Sequence, residues 1–221
     1  MFKEIFEMFK GDSLYIQALD ECHEMLEIDR EMFTQSIKAL RTSDSAEIPI
    51  DIYAMDKKIN SFEMDVRRKV ATHLVVANSQ DIGPGLVLTS VVIDIERIGD
   101  YTKNIYDLAV THPKKLYVES IEDRVASIEN RTVNYFNDTI DAFKNQDVDK
   151  ARVLMTSYKD NISKESKNLV EDIISGKISD LEVSQSASIV LYSRYLKRIA
   201  AHSRNLISSV VNPFERIGYP E

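Results

Sequence analysis

The chain has 221 residues, a formal net charge of −8 and one cysteine. That length supports a full hydrophobic core in one or two domains, while the acidic balance excludes general nucleic-acid binding, which needs a basic footprint. A single cysteine excludes an internal disulfide and a thiolate zinc site, so Cys22 reads as a small buried hydrophobe.

Six glycines and five prolines punctuate the chain, most of them where helices should end: Gly11, Pro49, Gly83-Pro84-Gly85, Pro113, Gly176, Pro213 and Gly218. Between them apolar residues recur with a period near 3.6, which predicts an all-α fold of long helices. Strand alternation and Asn-Gly or Asp-Gly hairpin turns are absent. The opening stretch, MFKEIFEMFKGDS, carries acids inside its apolar pattern and does not read as a signal peptide. No apolar run approaches the ~18 residues of a spanning helix, so the expected location is the cytoplasm. Phe2, Ile5, Phe6 and Phe9 form a short stripe there. It reads either as a helix docked on the protein's own bundle or as a patch for a membrane surface or a partner.

The first long helix is expected from about Ser13 to Leu40, with Leu14, Ala18, Cys22, Met25, Met32, Phe33, Ile37 and Leu40 as its core stripe. The second begins near Pro49, a suitable first-turn residue, and reaches about Val76; Ile52, Met55, Ile59, Phe62, Val66 and Val70 face inward. The third runs from Pro84 to before Pro113. A fourth is expected from about Ser120 to Asn145 and a fifth from Asp147 to Ile174. Ser179-x-x-Glu182 has the form of a capping box and would start the sixth, which ends before Pro213. The tail from Pro213 to Glu221 is a loop or a short docked segment.

Three long helices thus occur twice. Met32-Phe33-x-x-x-Ile37 answers to Tyr135-Phe136-x-x-x-Ile140, and Ile59, Val66 and Val70 answer to Ile162, Leu169 and Ile173, each pair 103 residues apart. The third helix repeats at a spacing of 101: Arg97 answers to Arg198, Ile98 to Ile199, Gly99 to Ala200 and Asn104 to Asn205. Two tandem three-helix bundles follow, over 12–112 and 118–213, divided between His112 and Val118.

The third helix carries the candidate chemistry. Glu96 and Asp100 stand four residues apart, hence one turn apart on one face. Like charges there repel, and a metal cation or a basic partner would relieve them; a solvated charged face is the plainer reading. Hard or borderline cations take carboxylate oxygens, and Asp56 on the second helix is a further candidate ligand. Gly99 between the acids costs about 1 kcal/mol against Ala in a helix interior, which makes sense where something approaches the backbone closely. Asp94 diverges from Glu96 around the helix. In the second half Lys197 and Ala201 replace the two acids. A di-iron carboxylate bundle needs two Glu-x-x-His pairs, and only Asp20-x-x-His23 comes near one. His23, His73, His112 and His202 share no metal spacing, His73 reading as a helix-terminal surface residue. No nucleophile elbow, P-loop or Gly-rich phosphate cradle occurs, so no catalytic residues and no enzymatic activity are expected.

With Glu96-Arg97-Ile98-Gly99-Asp100 followed by Asn104-Ile105, and with the repeat spanning about Ser13 to Asn212, the sequence resembles the PhoU family of phosphate-uptake regulators. The family form is close to Leu-Glu-Arg-Ile-Gly-Asp followed by Asn-Ile, with Ile95 here in place of the leucine. The resemblance implies a duplicated three-helix bundle that dimerises. It also implies a metal ion or multinuclear cluster (Fe, Zn, Ni, Mn or Mg) on the acidic motif, with Glu96 and Asp100 as ligands. The implied partners are a phosphate transporter and a sensor kinase, which would place the protein peripherally at the membrane through its partner. Lys197 and Ala201 depart from the family's second motif, so a second cluster is not expected. The alternatives are an accessory regulator paired with a sodium-phosphate cotransporter and a metal-free helical scaffold.

Overall fold

The computed structural model describes residues 14–76, 82–112 and 114–221. The stripe of Phe2, Ile5, Phe6 and Phe9 lies outside the described residues, as do Gly11 and Pro113. All regular structure among the described residues is helical. The long helices are α1 (Leu14–Thr42), α2 (Ile52–Val76), α3 (Ile82–Thr111) and α4 (Glu122–Asn145), the last entered through a 3-10 turn at Glu119–Ile121. The fifth, α5, is built of Val148–Tyr158, a π-helical turn at Lys159–Ser163 and Lys164–Ile174. α6 (Val183–Val211) follows, and a 3-10 turn at Phe214–Arg216 closes the described chain.

The expected stripes become the core. Ala18, Cys22, Met25, Met32, Phe33 and Leu40 of α1 are buried, as are Ile52, Ile59, Val66 and Val70 of α2. Full burial of each such side chain is worth about 1.5–3 kcal/mol relative to exposure. Leu14, Ile37, Met55 and Phe62 are half-buried at the margins. Burial pushes the Cys22 thiol up to about 12, with the Glu21 charge adding to it, so this cysteine is a packing residue. His73, expected at the surface, is half-buried and stacks on Tyr15 with ring centroids 4.0 Å apart.

Three helix starts differ from the expectation. α2 begins at Ile52, beyond Pro49, because the Asp51 carboxylate accepts from Ala54 N at 3.0 Å and caps the first turn. α3 begins at Ile82, two residues before Pro84, which is buried in its first turn. The capping box of α6 is Glu182 with Gln185, not Ser179 with Glu182: the Gln185 carboxamide accepts from Glu182 N at 3.1 Å. The tail is docked: Gly218 N donates to Ser208 Oγ at 2.7 Å, and Asn212 Nδ2 donates to Arg216 O at 2.9 Å and Tyr219 O at 2.8 Å.

α1, α2 and α3 pack on one another, α6 packs on α4 and α5, and α3 lies against α6. The three-helix unit therefore occurs twice, with the third helix of each at the centre. The α3–α6 seam carries a buried polar knot. His202 Nδ1 lies 2.7 Å from Asp94 Oδ1, which also accepts from Asn205 Nδ2 at 3.1 Å. A second knot joins the end of α1 to α4. Arg41 Nε donates to Glu129 Oε2 at 3.0 Å, and the guanidinium also holds Glu122 and the Leu116 carbonyl. Tyr192 Oη donates to the same Glu129 oxygen at 2.6 Å. No described helix is long and apolar enough to cross a membrane.

Candidate functional site

α3 sorts its acids by face. Asp94 points to α6, as its divergence from Glu96 predicts, while Glu96 and Asp100 face the groove that α3 makes with α2 and α1. Gly99 sits between them and is buried. A Cβ there would stand 2.8 Å from Asp29 Oδ1 and 3.0 Å from Ile59 Cδ1. The close approach expected of this glycine is therefore made by two side chains, one from α1 and one from α2.

Asp29 is the residue that sequence reasoning missed. It is fully buried, and among the described residues neither carboxylate oxygen has a hydrogen-bond partner. Burial holds its carboxyl well above the usual range, and the charges of Glu96, Asp56 and Asp100 raise it further. Glu96 is shifted upward for the same reasons, burial first and Asp100 next, with Arg97 pulling the other way. The α2 acids Asp56 and Glu63 both act on Glu96, so five carboxylates from α1, α2 and α3 share one electrostatic neighbourhood. The signal for Asp29 was present: it falls in step with Met25, Cys22 and Met32, a charged residue on an otherwise apolar stripe.

Three cations pair with these acids, the first being Arg67, 2.7 Å from Glu63. Lys103 Nζ bridges α2 and α3, 2.8 Å from Asp56 Oδ1 and 3.3 Å from Asp100 Oδ1. Burial alone would lower its ammonium pKa, but the hydrogen bond and charge of Asp56, joined by Asp100, raise it on balance. Arg97 lies 2.8 Å from Asp100 and 3.5 Å from Glu96. The donor set suits a hard cation, being all carboxylate oxygen, and the unpartnered Asp29 is the kind of buried group a cation satisfies. Among the described residues, however, no three His, Cys, Asp or Glu side chains are grouped as a metal site as they stand. Lys103 and a bound cation would compete for the same oxygens of Asp56 and Asp100.

The PhoU domain model matches residues 22–109 and 125–218. The chain is 26% identical over 184 residues, 80% of its own length and 72% of the relative's, to the phosphate-specific transport system accessory protein PhoU of Serratia marcescens. Its fold is similar to the crystal structure of PhoU from Pseudomonas aeruginosa, with a TM-score of 0.79 at 19% identity over 90% of this chain and 95% of that one. It is also similar to the phosphate transport system regulatory protein PhoU of Streptococcus pneumoniae, with a TM-score of 0.75 at 17% identity over 89% and 93%.

Proposed function

This chain belongs to the PhoU domain family, and we propose that it is a cytoplasmic regulator that restrains phosphate uptake by docking on a phosphate transporter or a phosphate-responsive sensor kinase. The observation that carries this reading is that the family match spans both halves and includes the intact Glu96-to-Asp100 motif, backed in space by Asp29 and Asp56. Glu96 and Asp100, with Asp56 and Asp29 behind them, would hold a metal ion or cluster, which would supply charge compensation to these carboxylates and not turnover. Docking needs an accessible face. Ile82, Leu86 and Ile93 lie four and seven residues apart on α3 and are exposed, an apolar line suited to a partner or to a second copy in a homodimer.

The test is radiolabelled phosphate uptake in cells of the native host grown with ample phosphate. Deleting the gene should raise uptake, the wild-type gene should restore restraint, and Glu96→Ala with Asp100→Ala should restore less of it. Unchanged uptake after deletion would overturn the reading.

A further inference from the structure

The second half keeps the helical frame but inverts the charge of the groove. At the 103-residue spacing of the repeat, Asp29, Asp56 and Glu63 correspond to Thr132, Lys159 and Ser166. At the 101-residue spacing of the third helix, Glu96 and Asp100 correspond to Lys197 and Ala201. All five carboxylates are gone, and two positions have become cationic. Where α5 meets α6, a cleft of about 290 Å³ opens, lined by Ser166, Lys167, Val170, Glu171, Arg194 and Lys197. Two of these positions, 166 and 197, are the counterparts of Glu63 and Glu96.

We propose that this cleft is an anion site for a phosphate-type oxyanion, held by Arg194 and Lys197 with Lys167 at the rim. The cleft presents three cations against one carboxylate, in a chain whose net charge is −8. Lys167 pairs with Glu171 at 3.4 Å, and the Glu171 charge also acts on Lys197 from a greater distance. Arg194 and Lys197 make no ion pair or hydrogen bond among the described residues, although similar cations elsewhere in the protein are paired. Lys197 is half-buried, and burial first, then Arg194, Lys167 and Arg198, lowers its ammonium pKa on balance, against the opposing pull of Glu171. An anion in the cleft relieves that repulsion.

The excess of positive charge suits a doubly charged phosphate. A guanidinium fork with an ammonium point charge is the pairing that binds such oxygens. The floor is fixed, because Ser166 Oγ donates to Ser193 O at 2.9 Å and lies 3.0 Å from Ser193 Oγ, tying α5 to α6. The cleft volume of about 290 Å³ leaves room for a hydrated oxyanion. None of these residues belongs to the acidic groove of α3, so the inference stands apart from the metal reading.

The experiment is calorimetric titration of the full chain with inorganic phosphate in a low-salt chloride buffer, with flotation on phosphatidylglycerol vesicles as a second arm. Saturable binding to free phosphate is expected, with no flotation. Arg194→Gln with Lys197→Gln should weaken it about tenfold or more, and Arg194→Gln alone by less. Arg194→Lys with Lys197→Arg and Glu96→Ala with Asp100→Ala should retain it. Circular dichroism matching the wild type confirms that each variant is folded, and Arg194, being exposed, gives a variant that keeps its core. Absence of saturable phosphate binding, equal affinity in the doubly neutralised variant, or vesicle binding without a response to free phosphate would each overturn the proposal.

Discussion

Asp29 is the most informative single residue. A carboxylate with a raised native pKa binds more protons folded than unfolded, so its effect on stability has a definite sign. Below the unfolded carboxyl value, near 3.9, the group costs nothing extra. As pH rises from there through the native pKa, stability is lost, because the unfolded carboxyl ionises freely in water while burial keeps the folded one protonated. Asp29→Asn keeps the shape and removes that loss. In metal-free buffer the variant should be more stable than the wild type at neutral pH by about 1–3 kcal/mol, and the gap should close as pH falls towards 4. Urea melts at a series of pH values measure it, and a variant less stable than the wild type at neutral pH would refute this account. Sequence alone makes Gly99 conspicuous as a glycine inside a helix. It could not reveal which side chains approached it, because Asp29 and Ile59 lie far away in sequence on two other helices.

At the scale of elements, helix existence and core faces were legible and the ends were less so. Period 3.6 identifies the inward residues of α1 and α2 because one buried stripe per helix leaves little choice. The start of α6 was misplaced because an acid-capped box with Gln at its third position does not carry the Ser/Thr-x-x-Glu pattern. Long-range polar partners were not readable at all. Arg41, with only 9% of its side chain exposed, meets Glu122 and Glu129 from more than 80 positions away. Arg41→Met should destabilise the protein by about 2–3 kcal/mol, toward the low end for a broken buried pair since Glu122 keeps contact with water. Adding Glu122→Gln and Glu129→Gln should recover part of that loss, which thermal melts will show. Lys103 gives a second element-scale outcome. If it competes with a cation for Asp56 and Asp100, Lys103→Gln should tighten Mn²⁺ binding severalfold in calorimetry. Weaker binding would mean that the lysine organises the groove instead.

For the whole molecule, duplication supplies two copies of one frame and sequence divergence makes them opposite in charge. The family match covers both halves alike, yet the first groove gathers carboxylates and the second gathers cations. The motif substitutions were visible in the aligned repeat: Lys197 and Ala201 stand where Glu96 and Asp100 would be expected. The depth of the contrast was not, since it needs the helices placed side by side to bring Asp29, Lys167 and Arg194 into their grooves. Cation binding should therefore be confined to the first half. Binding to the native state alone also stabilises it by mass action, so metal content and melting temperature should move together.

The measurement that bears most directly on this asymmetry is the metal-to-protein ratio after equilibration with Mn²⁺, Fe²⁺, Ni²⁺ or Zn²⁺ and removal of free metal. It is taken on the wild type, on Glu96→Ala with Asp100→Ala, and on Lys197→Ala. The wild type should retain metal and melt higher with it, the double variant should lose most of both, and Lys197→Ala should keep both. A wild type that binds none of these metals, or a double variant that binds as much as the wild type, would contradict the account and leave the acidic face of α3 as a solvated surface.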